Sequence, residues 1–238
     1  MGRKGTPVLT VARKEKKFMV SLEDRLYLLN ALDKLLIPDS YGDYNGYRVR
    51  SVYFDGICNN DYWDKVNGAI EKKRIRLRIY DTSDTKAKFE VKRKVYDHQL
   101  KESVTISSGD AKELLKGNYS VLLNYDSPVA EYGYGLMCAQ CYRPVSLIEY
   151  HRRAYTHPNF NTRVTLDNHL RFCDSSFDIF SNNINFKEVL SPDKSILEIK
   201  YDRFLFEQLQ EVFKRCDLSM KPPSKFGSSR KILKQYYC

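Results

Sequence analysis

Arg74-Ile75-Arg76-Leu77-Arg78-Ile79 places a cation at every second position and an aliphatic residue at each position between. Successive side chains in a β-strand point to opposite faces. The three guanidinium groups therefore share one face of a strand and the aliphatic groups share the other. Outward from this run the pattern recurs. Glu90, Lys92 and Lys94 alternate with Phe89, Val91, Arg93 and Val95, and Glu198 and Lys200 alternate with Leu197 and Ile199. One such strand is an ordinary solvated face. Several, rich in Arg and Lys with a few Glu, point to one charged surface built for a polyanion, because like charges on a sheet face repel unless an anion neutralises them.

The composition agrees. The chain has 238 residues, 42% of them hydrophobic, which is enough for a sizeable core. Its 18 Tyr and 12 Phe against a single Trp favour strands. The net charge of +10 suits nucleic acid, phosphorylated molecules, polyphosphate or an anionic membrane surface, without choosing among them. No run approaches the ~20 apolar residues that cross a bilayer, and no apolar signal core follows the N-terminus. Cys138-Ala-Gln-Cys141 is a lone pair without the second pair a zinc site needs, and the four His residues lack metal spacing. The six cysteines are read as reduced thiols of a cytoplasmic protein.

Residues 1–10 read as a flexible tail and 11–238 as a single domain. Strands are predicted at Val11–Val20, Tyr47–Phe54, Glu71–Tyr80, Lys86–Tyr96, Glu102–Ser107, Val145–Tyr155, Thr162–Asp167 and Ser195–Tyr201. Ser21 and Asp24 resemble a capping box that opens a helix with Leu22, Leu26, Leu29 and Leu36 as its stripe, ended by Pro38. A short turn or helix is expected at Asn59–Val66, shorter helices at Asp110–Lys116, Phe204–Arg215 and Ser229–Tyr236, and another at Pro128–Gln140 despite Gly133 and Gly135. The order describes an α+β chain: an antiparallel β-barrel tunnel of about eight strands with peripheral helices.

In such a barrel the charged faces turn inward and the apolar faces lie under helices. Cations so placed are costly to desolvate without a bound polyanion. Arg grips phosphate with paired hydrogen bonds, and Lys is a compact charge. Carboxylates on the same faces, Glu15, Glu90 and Glu198, can hold a divalent cation among phosphates. This mixture suits metal–triphosphate chemistry better than nucleic acid, which is not an expected partner.

The motif order resembles the vacuolar transporter chaperone (VTC) polyphosphate polymerase domain of the triphosphate tunnel metalloenzyme superfamily. The pieces are Arg13-Lys-Glu-Lys-Lys17-Phe, Val49-Arg-Ser-Val-Tyr-Phe-Asp55, Arg74-Ile-Arg-Leu-Arg78-Ile-Tyr80 and Phe89-Glu-Val-Lys92-Arg-Lys94. Tyr150-His-Arg152-Arg-Ala-Tyr155, Arg163-Val-Thr-Leu-Asp167, Leu197-Glu198-Ile-Lys200 and Ser224-Lys225-Phe226 follow. Two positions depart from the pattern: Arg13 replaces the first Glu of an ExExK strand, and Pro222, beside Lys221, stands where relatives carry a second Lys.

The resemblance implies transfer of the ATP γ-phosphoryl group onto a growing inorganic polyphosphate chain, with Mn2+ or Mg2+. It assigns Lys17, Arg76, Arg78, Lys92, Arg152 and Arg163 to the catalytic phosphate path. Arg50, Tyr150, Lys200, Lys221 and Lys225 are the expected substrate-binding residues, with Tyr150 near the adenine. Glu198 is the expected principal metal ligand, joined by Glu15. A membrane-protein partner is a further expectation, making the protein cytoplasmic or membrane-associated through that partner. A tripolyphosphatase or nucleoside triphosphatase on the same fold and a non-catalytic polyphosphate-binding module are the alternatives.

Overall fold

The computed structural model describes residues 13–41, 45–96, 98–158, 161–220, 222 and 224–236. The tail at 1–10 and Lys221 lie outside the described residues. The strands are β1 (Arg13–Val20), β2 (Ile37–Pro38), β3 (Tyr47–Asp55), β4 (Glu71–Ile79), β5 (Lys86–Val95), β6 (His98–Ser107), β7 (Arg143–His157), β8 (Thr162–Cys173), β9 (Lys187–Glu188) and β10 (Ser195–Asp202). The helices are α1 (Leu22–Leu35), α2 (Asn60–Val66), α3 (Ser108–Leu115), α4 (Pro128–Ala139), α5 (Glu207–Lys214) and α6 (Lys225–Tyr236).

The fold is α+β, as its sequence pattern predicts, with ten antiparallel strands among the described residues. Their pairing order is β1-β10-β8-β7-β3-β4-β5-β6, with β2 beside β7 and β9 beside β8. Among the described residues this path has two ends, so the sheet is open where a closed barrel is predicted. Alternation determines which face a side chain takes; closure depends on strand tilt and stagger, which alternation does not encode.

The chain forms two compact units. One is drawn from Met1–Gly46, Arg152–Asp167 and Asp193–Pro222, the other from Tyr47–His151, Asn168–Pro192 and Pro223–Cys238. β7 and β8 run through both.

In the first unit, β1, β10 and β8 turn Phe18, Val20, Leu197, Ile199, Val164 and Leu166 towards α1 and α5. Ser21 caps α1, its Oγ accepting from Asp24 N at 3.0 Å. The buried stripe of α1 is Leu28, Leu32 and Leu36, while Leu22 and Leu26 are exposed. The expected stripe therefore fails at Leu22 and Leu26, which at ~100° per residue lie roughly 120° and 160° around the helix from buried Leu28. Arg153 and Tyr155 of β7 both donate to Asp33 of α1, at 2.6 and 2.7 Å, which ties helix to sheet.

In the second unit, Val52, Phe54, Ile75, Leu77, Ile79, Phe89, Val91 and Ile106 form one face under α3 and α4. Gly133 sits in α4 for a packing reason. A Cβ there would lie 2.5 Å from Phe89 Cε1, so only glycine lets α4 approach β5 so closely. Gly135, on the exposed side of the helix, meets nothing within 4 Å. β6 begins at His98, earlier than the predicted Glu102, and this brings Lys101 into the sheet.

Candidate functional site

The registers of β3 to β6 convert one-dimensional alternation into a two-dimensional lattice of charge. One row across the strands is Ser51–Arg78–Lys88–Thr105. The next is Tyr53–Arg76–Glu90–Ser103, and the third is Arg74–Lys92–Lys101. All lie on the face opposite the α3 and α4 core. Glu90 is the anion at the centre of this cationic face and is 2% exposed.

Arg76 Nε and Lys101 Nζ both donate to Glu90, and Arg78 Nε lies 3.8 Å away. Burial pushes the Glu90 carboxyl up, but Arg76, Arg78 and the Lys101 hydrogen bond outweigh it and hold it at about 2. Arg76 also donates to Tyr53 Oη at 3.1 Å, and Arg78 Nε donates to Ser51 Oγ at 3.2 Å. Burial raises the Tyr53 phenol; the charges of Arg76, Arg78 and Arg74 outweigh it and bring it to about 8.

α6 supplies the rim of this face. Ser224 opens the helix, its Oγ accepting from Gly227 N at 3.2 Å and its carbonyl from Ser228 N at 2.7 Å. Phe226 is 1% exposed and stacks on Tyr53 with ring centroids 5.3 Å apart. The Arg74 guanidinium carbon is 5.3 Å from the centroid of Phe226. Lys225 Nζ lies 4.3 Å from the centroid of Tyr150, itself 4% exposed. Lys225 is thus the first residue of a helix, and its ammonium covers a ring expected to stack near adenine.

Arg50 is placed elsewhere. By register it faces with Ile79, on the core side of the sheet. Its Nε donates to Glu149 Oε2 at 2.7 Å, and its Nη1 to the carbonyls of Ile179 and Ser181 at 2.9 and 2.5 Å. Glu149 also accepts from Arg171. Arg50 is 2% exposed and clamps the segment after β8 to the sheet. The structure does not bring it to the cationic face.

The first unit carries its own interleaved face. Its rows are Glu15–Lys200–Arg163 and Lys17–Glu198–Thr165. Lys17 Nζ is 2.7 Å from Glu15 Oε1 and 3.3 Å from Glu198 Oε2, while Lys200 Nζ is 2.5 Å from Glu198 Oε1. Burial lowers the Lys17 ammonium, and the charges of Glu198 and Glu15 raise it by more. Arg152 makes a two-pronged contact with buried Asp167, at 2.6 and 2.8 Å, and Arg163 Nη2 donates to Asp39 at 2.5 Å.

Among the described residues no three His, Cys, Asp or Glu side chains form a metal-binding group. The donor set does fit a hard divalent cation that is completed by phosphate oxygens, since Mg2+ and Mn2+ take one or two carboxylates in such sites. Glu15 and Glu198 share one ammonium between them, and Thr165, opposite Glu198, has a buried Oγ1 with no hydrogen-bond partner. Sequence reasoning missed Thr165, Lys101 and Tyr53. Tyr53 sits at the right parity in its predicted strand and was legible from it; Lys101 lay outside the strand predicted from Glu102, and Thr165 needed the register.

The ten strands pair antiparallel and carry rows of cations broken by single carboxylates on the faces opposite the apolar cores. Two solved structures are similar over almost their full lengths. One is a candidate adenylate cyclase from Bacillus halodurans, 16% identical over 90% of this chain and 95% of that one, with a TM-score of 0.52. The other is a candidate adenylyl cyclase from Hippeastrum with a dominant triphosphatase activity, 14% identical over 91% and 94%, with a TM-score of 0.54. No curated protein gives a significant match. A family model, the VTC domain, matches residues 12–234. The chain belongs to the VTC domain family. Among the described residues no helix is long and apolar enough to cross a membrane.

Proposed function

We propose that this chain is a metal-dependent ATP:polyphosphate phosphotransferase, which adds the terminal phosphoryl group of ATP to a growing inorganic polyphosphate chain. The observation that supports it most is the row Arg74, Arg76 and Arg78, flanked by Lys88, Lys92 and Lys101 on one sheet face. A strand rises about 3.3 Å per residue, so the row spans roughly 13 Å. A triphosphate has only two P–O–P links and is shorter. A longer linear polyphosphate matches the length, and the carboxylates among the cations favour it over nucleic acid.

In this reading a terminal phosphate oxygen of the chain attacks the γ-phosphorus. The β–γ bridging P–O bond breaks, ADP leaves, and the chain is one phosphate longer. No side-chain nucleophile is required. Arg76 and Arg78 bind and align phosphate oxygens, and Lys92 and Lys101 neutralise the neighbouring units. Glu198 and Glu15, with Thr165 beside them, would hold Mn2+ or Mg2+, which supplies positive charge to phosphate oxygens as charge shifts in the reaction. Lys17 and Lys200 hold those carboxylates in place. Arg152 and Arg163, fixed by Asp167 and Asp39, are the proposed further phosphate ligands, as are Lys225 and Lys221. Free thiols at Cys58, Cys138, Cys141, Cys173 and Cys216 fit a reducing cytoplasm, and any membrane attachment would come through a partner.

Hydrolysis of tripolyphosphate or nucleoside triphosphates is the second reading, favoured by the triphosphatase activity of the Hippeastrum protein. Incubation with ATP and Mn2+, followed by a polyphosphate-stained gel and a phosphate-release assay, separates them. A polymer ladder supports the polymerase. Free phosphate without a ladder supports the hydrolase, and neither product supports a binding module.

A further inference from the structure

We propose that Cys138 and Cys141 form a redox-active thiol pair that closes to an internal disulfide with oxidised glutathione as electron acceptor. The pair lies apart from the phosphate faces and does not depend on the polyphosphate reading. Both residues sit at the end of α4, on the turn from which β7 departs, and both are exposed free thiols. Cys141 N donates to the Cys138 carbonyl at 3.4 Å, and Tyr142 N to the Met137 carbonyl at 3.1 Å. A turn closed between residues i and i+3 holds their Cα atoms within about 7 Å. A disulfide spans roughly 4.4–6.8 Å between Cα atoms. Cys141 takes a left-handed backbone conformation, with φ of 47°, and its Sγ lies 3.9 Å from the same Cys138 carbonyl oxygen. Burial, then the charges that Cys141 and Cys138 carry when ionised, push the Tyr119 phenol up, so both sulfurs border one hydroxyl. That hydroxyl donates to the Tyr142 carbonyl.

The turn is anchored. Tyr142, next in sequence, is buried and donates to both carboxyl oxygens of Asp61, at 2.9 and 3.0 Å. The thiols are thus held near each other before oxidation, and little chain entropy opposes closure. Other described cysteines are placed differently. Cys173 is buried, and burial, with the Asp24 carboxylate, pushes the Cys216 thiol up to about 11, where little reactive thiolate forms. Cys58 is the rival among the described residues: it is exposed, and Ile57 N donates to the Gln140 carbonyl at 3.1 Å, which sets its turn beside the pair. In the proposed step one thiolate attacks the glutathione disulfide, whose S–S bond breaks to release one glutathione. The second thiolate attacks the protein sulfur of the mixed disulfide and releases the other. The two cysteines lose two electrons and two protons, and one glutathione disulfide becomes two glutathione thiols.

The test is peptide mass spectrometry of the full chain after incubation with oxidised glutathione and alkylation of the remaining thiols. The tryptic peptide 117–152 carries both cysteines and no other, because Arg143 precedes Pro144. In the wild type this peptide should lose two hydrogens and carry neither glutathione nor an alkyl group. A thiol held this close acts at millimolar effective concentration or above. At micromolar protein the internal bridge should therefore outnumber links between chains by ~100-fold or more. In Cys138→Ser and Cys141→Ser, both changes at exposed positions, the remaining thiol should stop at the glutathione mixed disulfide. Glutathione retained on both cysteines of the wild type would overturn the proposal. So would a bridge from either of them to Cys58, or wild-type thiols left unreacted.

Discussion

Replacing Glu90 with Gln should destabilise the ligand-free protein and make it more responsive to phosphate anions. Glu90 is buried and serves Arg76, Lys101 and Arg78 at once. Its carboxyl, ordinarily 4.5, is held at about 2. At ~1.4 kcal/mol per pH unit that gap corresponds to about 3 kcal/mol of stability. Breaking buried pairs from one side costs a similar amount, roughly 3–5 kcal/mol. For a chain of this size 1 kcal/mol moves Tm by about 2–4 °C, so the variant should melt about 6–12 °C lower near neutral pH. The sign with pH follows from the depressed value. The contribution is present above the unfolded carboxyl range and is lost as pH falls through 2, so the difference between the proteins should shrink in acid. Saturating tripolyphosphate should raise Tm more in the variant, because three cations then lack an anion. Thermal unfolding monitored by circular dichroism, with and without tripolyphosphate at pH 4 and 7, reads all of these. A loss below about 1 kcal/mol at pH 7, with equal phosphate shifts in both proteins, would refute the reasoning.

Other outcomes follow from the same geometry. Burial, then the charge of Asp55, pushes Asp61 up to about 7, outweighing Tyr142 and Lys73. Its folded value lies above its unfolded one, so stability should fall as pH rises from about 4 to 7, by up to about 4 kcal/mol. Asp61→Asn should flatten that slope in urea titrations; an unchanged slope argues against the assignment. Gly133→Ala should cost about 1–3 kcal/mol through contact with Phe89, while Gly135→Ala should be neutral or stabilising by up to ~1 kcal/mol. Equal effects in a melting assay would exclude the close-packing explanation. Arg76→Ala and Arg78→Ala should each lower turnover at least ~100-fold with circular dichroism preserved, and normal turnover in both would remove their proposed role. Glu198→Gln should raise the Mn2+ concentration for half-maximal activity by roughly tenfold or more, whereas an unaltered metal titration would place the metal elsewhere.

The sequence by itself determined the faces. Alternation at Arg74–Ile79 and Leu197–Lys200 sends charge one way and aliphatic groups the other, whatever the strands later pair with, because the two-residue period belongs to the extended backbone. It also determined the cap at Ser21 and the order of most elements. Only the tertiary structure decided which charges meet. Register brings Glu90 between Arg76 and Lys101 and sets Thr165 opposite Glu198. Arg50 looked like one more cation of the path, yet its parity in β3 and its contact with Glu149 commit it to the core side. Gly133 read as a weakness in α4 until Phe89 came into view beneath it. The Arg row alone announced a polyanion-binding face. Its centre, an anion shared among three cations, arises from the register of the consecutive strands β4, β5 and β6, which the alternation within each strand does not encode.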